Sequence, residues 1–282
     1  MKKILIVGAS GFIGNRLFKK LIDNPNYELK GTSLNTQNDI FETLDINNLE
    51  QTNILLNKFN PEIIIWCAGN KNLSETEESL KNTINVNFES IKGIEDYLNK
   101  FSLTHFIFLS SDYIFDGVKG NFKVNDKANP KTFYGISKLM AEQYIIKKFS
   151  LFSIVRTSAV IGKGSVFFDW LNNCVVNKKK TSLYANNFTP TPIGFLIRQI
   201  EYLFEKKTSG IYNVCGNKIL SRYDIGLIIS KYYDINPIFL KMERKGNNNF
   251  QNDLSLVPSL IIEENLNLEE EIFKELDKYE NN

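Results

Sequence analysis

The sequence predicts an α/β protein, a doubly wound parallel sheet followed by a smaller α/β lobe. Three observations predict it. Short β-branched and aromatic runs alternate with longer helical patterns through the first half of the chain. Several of those runs, such as Ile63 to Trp66 and Phe106 to Leu109, are continuously apolar, as strands covered on both faces require. A glycine-rich turn, from Gly8 to Gly14, stands between the first run and the first helical pattern.

Strands are predicted over residues 3–7, 28–32, 62–66, 105–109 and 152–156, and helices over 12–23, 49–59, 75–101 and 132–149. Asn and Pro punctuate the connections. After about Gly162 the regularity weakens. A helix over 166–176, a short strand over 181–183 and an irregular turn at Pro190 and Pro192 are expected. Helices over 193–204 and 223–233 follow, then a loop at 247–249. The acidic stretch 263–280 carries Leu266, Leu268, Ile272, Phe273 and Leu276, the pattern of a final amphipathic helix. Two domains are expected, 1–160 and 161–282, with an approximate boundary and room for interleaving.

Composition narrows the function. With 43% hydrophobic and 23% charged residues over 282 positions, the chain can bury a large core and is neither disordered nor fibrous. Thirty-four basic against thirty-two acidic residues leave a net charge of +2, which argues against a nucleic-acid footprint. The Lys178 to Lys180 run reads as a solvated surface. The apolar stretch from Ile4 to Val7 is too short for a signal core or a membrane span. Cys67, Cys174 and Cys215 are far apart without C-x-x-C spacing, which argues against a disulfide framework or thiolate metal site. A cytoplasmic protein without a metal centre is expected. His105 is the single histidine and reads as a structural residue at a strand edge.

The turn Gly8-Ala9-Ser10-Gly11-Phe12-Ile13-Gly14 opens a helix directly after a strand. Glycines there allow a tight turn and close approach to a pyrophosphate, whose charge the helix N-terminal amides stabilise. The bland reading is a turn that only packs strand to helix. Downstream lie Tyr134-Gly135-Ile136-Ser137-Lys138 and, at the end of the fourth predicted strand, Ser110-Ser111-Asp112. Four residues along a helix bring Tyr134 and Lys138 to one face, where the ammonium can lower the phenol's pKa. Tyr134 can then protonate an oxygen that gains negative charge, while Ser111 hydrogen-bonds the same oxygen.

The G-x-x-G-x-x-G spacing together with Y-x-x-x-K resembles the extended short-chain dehydrogenase/reductases, whose fold is of the Rossmann type. The resemblance implies a dinucleotide cofactor held by Gly8, Ser10, Gly11, Phe12, Ile13, Gly14 and Arg16, with Thr32 at the end of the second strand. Asp45-Ile46 sits where the family's acidic residue approaches the adenine. Cys67-Ala68-Gly69 stands where the family's loop passes the cofactor, and Asn87 matches its helix asparagine. By the same resemblance Tyr134 and Lys138 also contact the cofactor, Lys138 through the nicotinamide ribose. No acidic residue ends the second strand, where the chain reads Gly31-Thr32-Ser33. NADP(H) is therefore favoured over NAD(H), with Arg16 and Lys30 as phosphate partners.

Ser111-Asp112-Tyr113-Ile114-Phe115-Asp116-Gly117 closely resembles the S-D-Y-V-F-D-G segment of the dTDP-4-dehydrorhamnose reductases. Val155-Arg156-Thr157-Ser158 with Gly162, Pro190-Thr191, Gly210 to Val214 and Ser221-Arg222-Tyr223 extend the resemblance, which runs from residue 3 to about 256. It implies hydride transfer from a nicotinamide to a 4-keto-6-deoxysugar carried on a nucleoside diphosphate. The residues after 160 would then form the lobe that binds this substrate, and Asp112, Tyr113, Arg156 and Arg222 are its candidate contacts. Arg156 equally suits a structural ion pair, and Asp112-Tyr113 equally suits shaping of the loop. Asn186, Phe188 and the final segment depart from the group.

Related chemistries stay open to different degrees. A dehydratase of this scaffold carries an Asp-Glu pair where this chain has Asp112-Tyr113, so dehydration is disfavoured. A 3,5-epimerase-reductase uses a Cys and a His, and His105 matches no such position. An epimerase with tightly held NAD stays open. A nonenzymatic binding protein, like the regulatory subunit of methionine adenosyltransferase that this group resembles, conflicts with the intact Ser111, Tyr134 and Lys138. The apolar positions of 75–101 and 132–149 suit either a homodimer or the core.

Overall fold

A computed structural model describes residues 1–35, 40–243, 252–259 and 266–280. The chain begins with β1 (Lys2–Val7), α1 (Phe12–Leu21), β2 (Tyr27–Ser33), β3 (Glu42–Thr43), α2 (Leu49–Phe59) and β4 (Ile63–Trp66). Next come α3 (Leu73–Glu78), α4 (Leu80–Asn87), a 3-10 segment (Glu89–Ile94), α5 (Glu95–Lys100) and β5 (His105–Ser111). A 3-10 turn (Asp112–Ile114) leads to α6 (Phe133–Lys148) and β6 (Phe152–Thr157). The remainder is β7 (Val160–Ile161), α7 (Val166–Val176), β8 (Thr181–Tyr184), β9 (Thr191–Pro192), α8 (Ile193–Lys206), β10 (Gly210–Asn213), α9 (Arg222–Tyr232), β11 (Leu240–Glu243) and α10 (Leu268–Glu280).

Seven strands form one sheet in the order β10-β6-β5-β4-β1-β2-β3. β1 pairs in parallel with β2 and β4, β2 with β3, and β4 with β5. The order reverses on either side of β1, which is the doubly wound topology that the alternating pattern predicts. Continuous apolar strands follow from coverage on both faces. Ile4, Ile6, Ile63 to Ile65 and Phe106 to Phe108 are all essentially inaccessible to solvent. Each such side chain contributes roughly 1.5–3 kcal/mol of burial free energy. Among the described residues no helix is long and apolar enough to cross a membrane.

The chain divides into two compact units. One comprises Met1–Ile114, Ala128–Arg156 and Ile200–Tyr212, and the other Phe115–Lys127, Thr157–Gln199 and Asn213–Asn282. The chain thus passes between them several times instead of crossing once near residue 160. The core of the first unit gathers Leu5, Leu55, Leu56, Ile64, Trp66, Ile91, Ile94, Phe106, Phe108, Ala141, Ile145 and Ile154. Ile91, Ile94, Ala141 and Ile145, among the positions that also suited a dimer, are therefore spent on this core. In the second unit α7, α9 and α10 share a core with Phe168, Leu171, Ile225, Ile229, Leu268, Ile272 and Leu276.

The helix expected over 75–101 is broken into four pieces, and serine chemistry explains the first break. Ser79 is extended at φ −150°, and its hydroxyl accepts the Asn82 amide, which starts a new helix. At Phe88 the backbone again leaves helical geometry before the 3-10 segment. The turn expected at Pro190 and Pro192 contains β9, which pairs in parallel with β7. The final helix starts only at Leu268 and presents Leu268, Ile272 and Leu276 to the core at successive intervals of four. Leu266 precedes it, while 263–265 and the expected loop at 247–249 lie outside the described residues.

His105 opens β5 fully buried, with Nε2 2.8 Å from Ser153 Oγ. The Ser153 hydroxyl donates to the Thr208 carbonyl, so the imidazole donates from Nε2. Nδ1 is buried without a hydrogen-bond partner. Burial, helped by the charge of Lys207, pulls the imidazole pKa down to about 4. Below pH 6.5 the unfolded chain takes up a proton that the folded chain refuses until pH 4. Stability should therefore fall as pH drops through this window, by up to about 3 kcal/mol. Thermal unfolding at stepped pH tests this, and His105→Gln should flatten the dependence.

Candidate active site

The glycine turn fits a dinucleotide's pyrophosphate by three separate observations. Gly8 has φ +83°, and a Cβ there would lie 2.7 Å from the Ala68 amide nitrogen, so only glycine lets the turn meet the loop after β4. At Gly14 a Cβ would lie 2.3 Å from the Gly8 carbonyl oxygen, which brings α1 against the end of β1. At Gly11 it would touch only the Gly8 oxygen, at 3.4 Å, and leave the approach otherwise open. Gly11 caps α1 without a side-chain hydrogen bond, and the first turn holds no acidic residue. Phe12, Ile13 and Gly14 therefore occupy positions whose amides have no acceptor within the helix, suited to an oxyanion.

The neighbouring candidates divide. Thr32 braces the turn, its hydroxyl accepting from the Gly8 amide at 3.3 Å and its carbonyl from Ala9 at 2.7 Å. Ser33 Oγ donates to Ser10 Oγ at 2.8 Å, and Arg16 is half-buried one turn into α1. Lys30 pairs with Glu42 at 2.7 Å and lies over the Phe59 ring. Asp45 is exposed and accepts the Asn47 amide at 2.9 Å, while Ile46 packs on the core.

After β4 the chain runs through Cys67, Ala68 and Gly69. Burial drives the Cys67 thiol up to about 12, against the pull of Lys138, so it stays neutral. Gly69 has φ +147°, and a Cβ there would lie 2.8 Å from Asn87 Oδ1 and 3.7 Å from Lys138 Nζ. Asn87 accepts from the Asn70 amide at 2.7 Å and donates to the Asn70 carbonyl at 2.9 Å and to Ser137 Oγ at 3.1 Å. It thereby ties this loop to the tyrosine helix. The glycine turn, this loop and Lys138 are in direct succession.

Helix α6 begins at Thr132, whose hydroxyl accepts the Gly135 amide at 3.0 Å. The Glu77 carboxylate on α3 accepts the Phe133 amide at 2.6 Å and fixes the same end. A Cβ on Gly135 would lie 2.1 Å from the Tyr113 carbonyl oxygen, so glycine is what lets the first turn dock on the segment after β5. Tyr134 stands edge-to-face with Tyr113, with ring centroids 5.8 Å apart. Lys138 is buried, donates to the Leu109 carbonyl at 2.9 Å and lies over the Phe108 ring at 4.6 Å. Ser111 Oγ donates to Asp112 Oδ1 at 2.9 Å and accepts from the Tyr113 amide at 3.3 Å.

The electrostatics correct one expectation. Instead of being lowered by Lys138, the Tyr134 phenol is raised well above its ordinary range. Burial is the largest cause and the charge of Asp112 adds to it, while the Ser111 hydrogen bond opposes. Burial pulls the Lys138 ammonium down to about 8, with Cys67 and Glu142 opposing. The site at neutral pH therefore holds a protonated phenol beside an ammonium close to its midpoint. That arrangement gives a proton rather than takes one.

Arg156, a candidate substrate contact that equally suited an ion pair, is buried in β6 and grips Glu142 of α6, with Nε 3.0 and 3.2 Å from the two carboxylate oxygens and Nη2 2.7 Å from Oε2. Arg222 opens α9 and stacks its guanidinium 5.2 Å above the Phe167 ring, within the second unit. Glu77 and Glu142 lay outside the motif reading, while Ser110 and Ser137 lay inside its motifs without an assigned role. The spacing of Glu142, four after Lys138 and eight after Tyr134, was the available signal.

Comparison with known proteins agrees with this geometry. The RmlD substrate binding domain family matches residues 1–247. A dTDP-4-dehydrorhamnose reductase of Aggregatibacter actinomycetemcomitans is 30% identical over 241 residues, 81% of this chain and 78% of that protein. The methionine adenosyltransferase 2 subunit beta of Xenopus laevis is 23% identical, over 83% of this chain and 73% of its own length. A solved dTDP-4-dehydrorhamnose reductase from Bacillus anthracis, in complex with NADP, shares the fold. It has a TM-score of 0.86 and 22% identity, covering 99% of this chain and 100% of that one. Matched over residues 1–247, this chain belongs to the RmlD substrate binding domain family.

Proposed function

We propose that the chain is an NAD(P)H-dependent reductase of a 4-keto-6-deoxysugar linked to a nucleoside diphosphate. The observation that carries this is the succession of an open, uncapped glycine turn, the loop through Gly69, and Lys138 on one helix face with the protonated Tyr134. The dTDP-4-dehydrorhamnose reductase relatives supply the substrate class.

The bound nicotinamide would supply the hydride. The Phe12, Ile13 and Gly14 amides would hold the diphosphate, and the loop from Cys67 to Gly69 would line the cofactor's path. Tyr134 would give its phenolic proton to the substrate carbonyl oxygen as negative charge grows there. Ser111 steadies the same oxygen after its hydroxyl turns from Asp112, and the Lys138 ammonium stabilises the phenolate left behind. Asp112, Tyr113 and Arg222 are the proposed substrate contacts. NADP(H) is preferred, because β2 ends in Thr32-Ser33 without a carboxylate to repel a 2′-phosphate and Arg16 lies on α1, the helix that the glycine turn opens. The three free cysteines fit a cytosolic enzyme.

Three measurements test the reading. Oxidation of NADPH or NADH should follow addition of a dTDP-linked 4-keto-6-deoxysugar, and Tyr134→Phe should cut turnover by about 10²–10⁴-fold without weakening cofactor binding. A wild-type protein that binds cofactor and reduces no keto sugar would instead match the binding role of the methionine adenosyltransferase subunit. One that purifies with NAD and interconverts sugars without consuming it would be an epimerase.

The pH profile has a defined sign. Lys138 is charged below about 8 and neutral above it, so kcat/KM for reduction should decline as pH rises through about 8. Lys138→Arg, charged throughout, should remove that decline from any residual activity. For the turn, Gly11→Ala should leave the thermal midpoint near wild type, since its methyl meets only the Gly8 oxygen at 3.4 Å. The methyl should still weaken dinucleotide affinity by about tenfold or more, measured by titration calorimetry.

A further inference from the structure

Glu142 and Arg156 form a charged pair almost wholly shut off from water, with 1% and 5% of their surfaces exposed. Taking two charges out of water is costly, and a well-packed apolar pair of similar size is often as stable. Global stability is therefore a weak reason for the pair, and its placement supplies a better one. Ser110 Oγ donates to Glu142 Oε1 at 2.5 Å, and one residue earlier the Leu109 carbonyl receives Lys138 Nζ at 2.9 Å. Consecutive residues at the end of β5 are thus tied to successive turns of α6. The next strand residue is Ser111 and the preceding helix turn carries Tyr134. A slip of one residue along the strand would turn Ser111 to the opposite face.

We propose that Glu142, clamped by Arg156 and Ser110, is a positioning residue: it locks α6 in register against β5, so that Ser111, Tyr134 and Lys138 converge. This rests on the reductase reading for the role of the three residues, although the coupling between Glu142 and Lys138 is measurable without it. The groups facing Lys138 come from several elements. Cys67 follows β4 as a neutral thiol; Leu109 and Phe108 offer a carbonyl and a ring from β5; Tyr134 and Glu142 share α6. Asp112 follows β5 beside Ser111, and Arg156 on β6 reaches Glu142. Glu142 is the carboxylate that supports the charge of Lys138.

The test uses the full chain with ¹³C-labelled lysine, followed by NMR through a pH titration, with the Lys138 signal assigned by Lys138→Met. In Glu142→Gln, which keeps size and hydrogen bonding but removes the charge, Lys138 should titrate lower in pH by about 1. The alkaline decline of kcat/KM should move with it. Ser110→Ala, which leaves the ion pair in place, should lower kcat by about ten- to a hundredfold at unchanged KM and unchanged cofactor affinity. Should Glu142→Gln not fold, Ser110→Ala carries the test. An unmoved Lys138 titration in folded Glu142→Gln, or an unchanged kcat in Ser110→Ala, overturns the proposal. A shifted titration in a protein that reduces no keto sugar upholds the coupling and fails the functional reading instead.

Discussion

An ammonium buried beside a strand end is expensive to keep charged, and the Lys138 ammonium is the constraint on which the site depends. Its proton is held by three kinds of partner: the Leu109 carbonyl at 2.9 Å, the face of the Phe108 ring and the nearby Glu142 carboxylate. None of them cancels the desolvation, so the group sits near 8 instead of near its ordinary value. The same burial acts in the opposite sense on Tyr134 and Cys67, because for an acid it is the ionised form that loses solvation. One low-dielectric environment thus yields a protonated phenol, a neutral thiol and a marginal cation. For a reduction that is a coherent set, since the phenol must arrive with its proton and the cation is needed most once the proton has left.

Geometry transmits this chemistry to the glycine turn. Gly8 admits Ala68 at a distance no side chain would permit, and Gly69, one residue on, lies against Asn87 and Lys138. Asn87 then reaches Ser137, whose hydroxyl donates to the Tyr134 carbonyl at 2.7 Å. The glycine turn and the tyrosine end of α6 are therefore joined by short contacts between backbone and fixed amides instead of by long flexible side chains. Rigid joining of this kind is what a transfer between two bound molecules needs, because small misplacements of the reacting atoms are costly.

The strands were legible because burial on both faces leaves a continuous apolar run, visible in Ile63 to Trp66 and Phe106 to Leu109 without tertiary knowledge. The centre was legible where chemistry demands fixed spacing, as in the glycine turn and in Tyr134 with Lys138. What failed turned on side-chain partners that spacing and composition do not reveal. The ion pair of Lys30 with Glu42 is one such partnership. The segment 75–101 reads as one helix until Ser79 turns its hydroxyl onto the Asn82 amide. The direction of the Tyr134 shift could not be read at all, since spacing reveals the neighbouring ammonium but not the dielectric around both.

Glu142 shows the same limit from the other side. A glutamate in the middle of a helix is ordinarily a solvated residue, and an arginine at a strand end is ordinarily a surface or ligand group. Their meaning appears only when β6 lies next to β5 and brings Arg156 over α6. A buried pair of this kind contributes little net stability, yet it is intolerant of displacement, because either partner moved alone becomes an uncompensated charge. That intolerance is useful where two elements must keep one register. The three cross-connections from α6, through Glu142 to Ser110 and Arg156 and through Lys138 to Leu109, make a helix slip far more costly than apolar packing would. Specificity of alignment, more than depth of the energy well, is what this polar cluster adds to the fold.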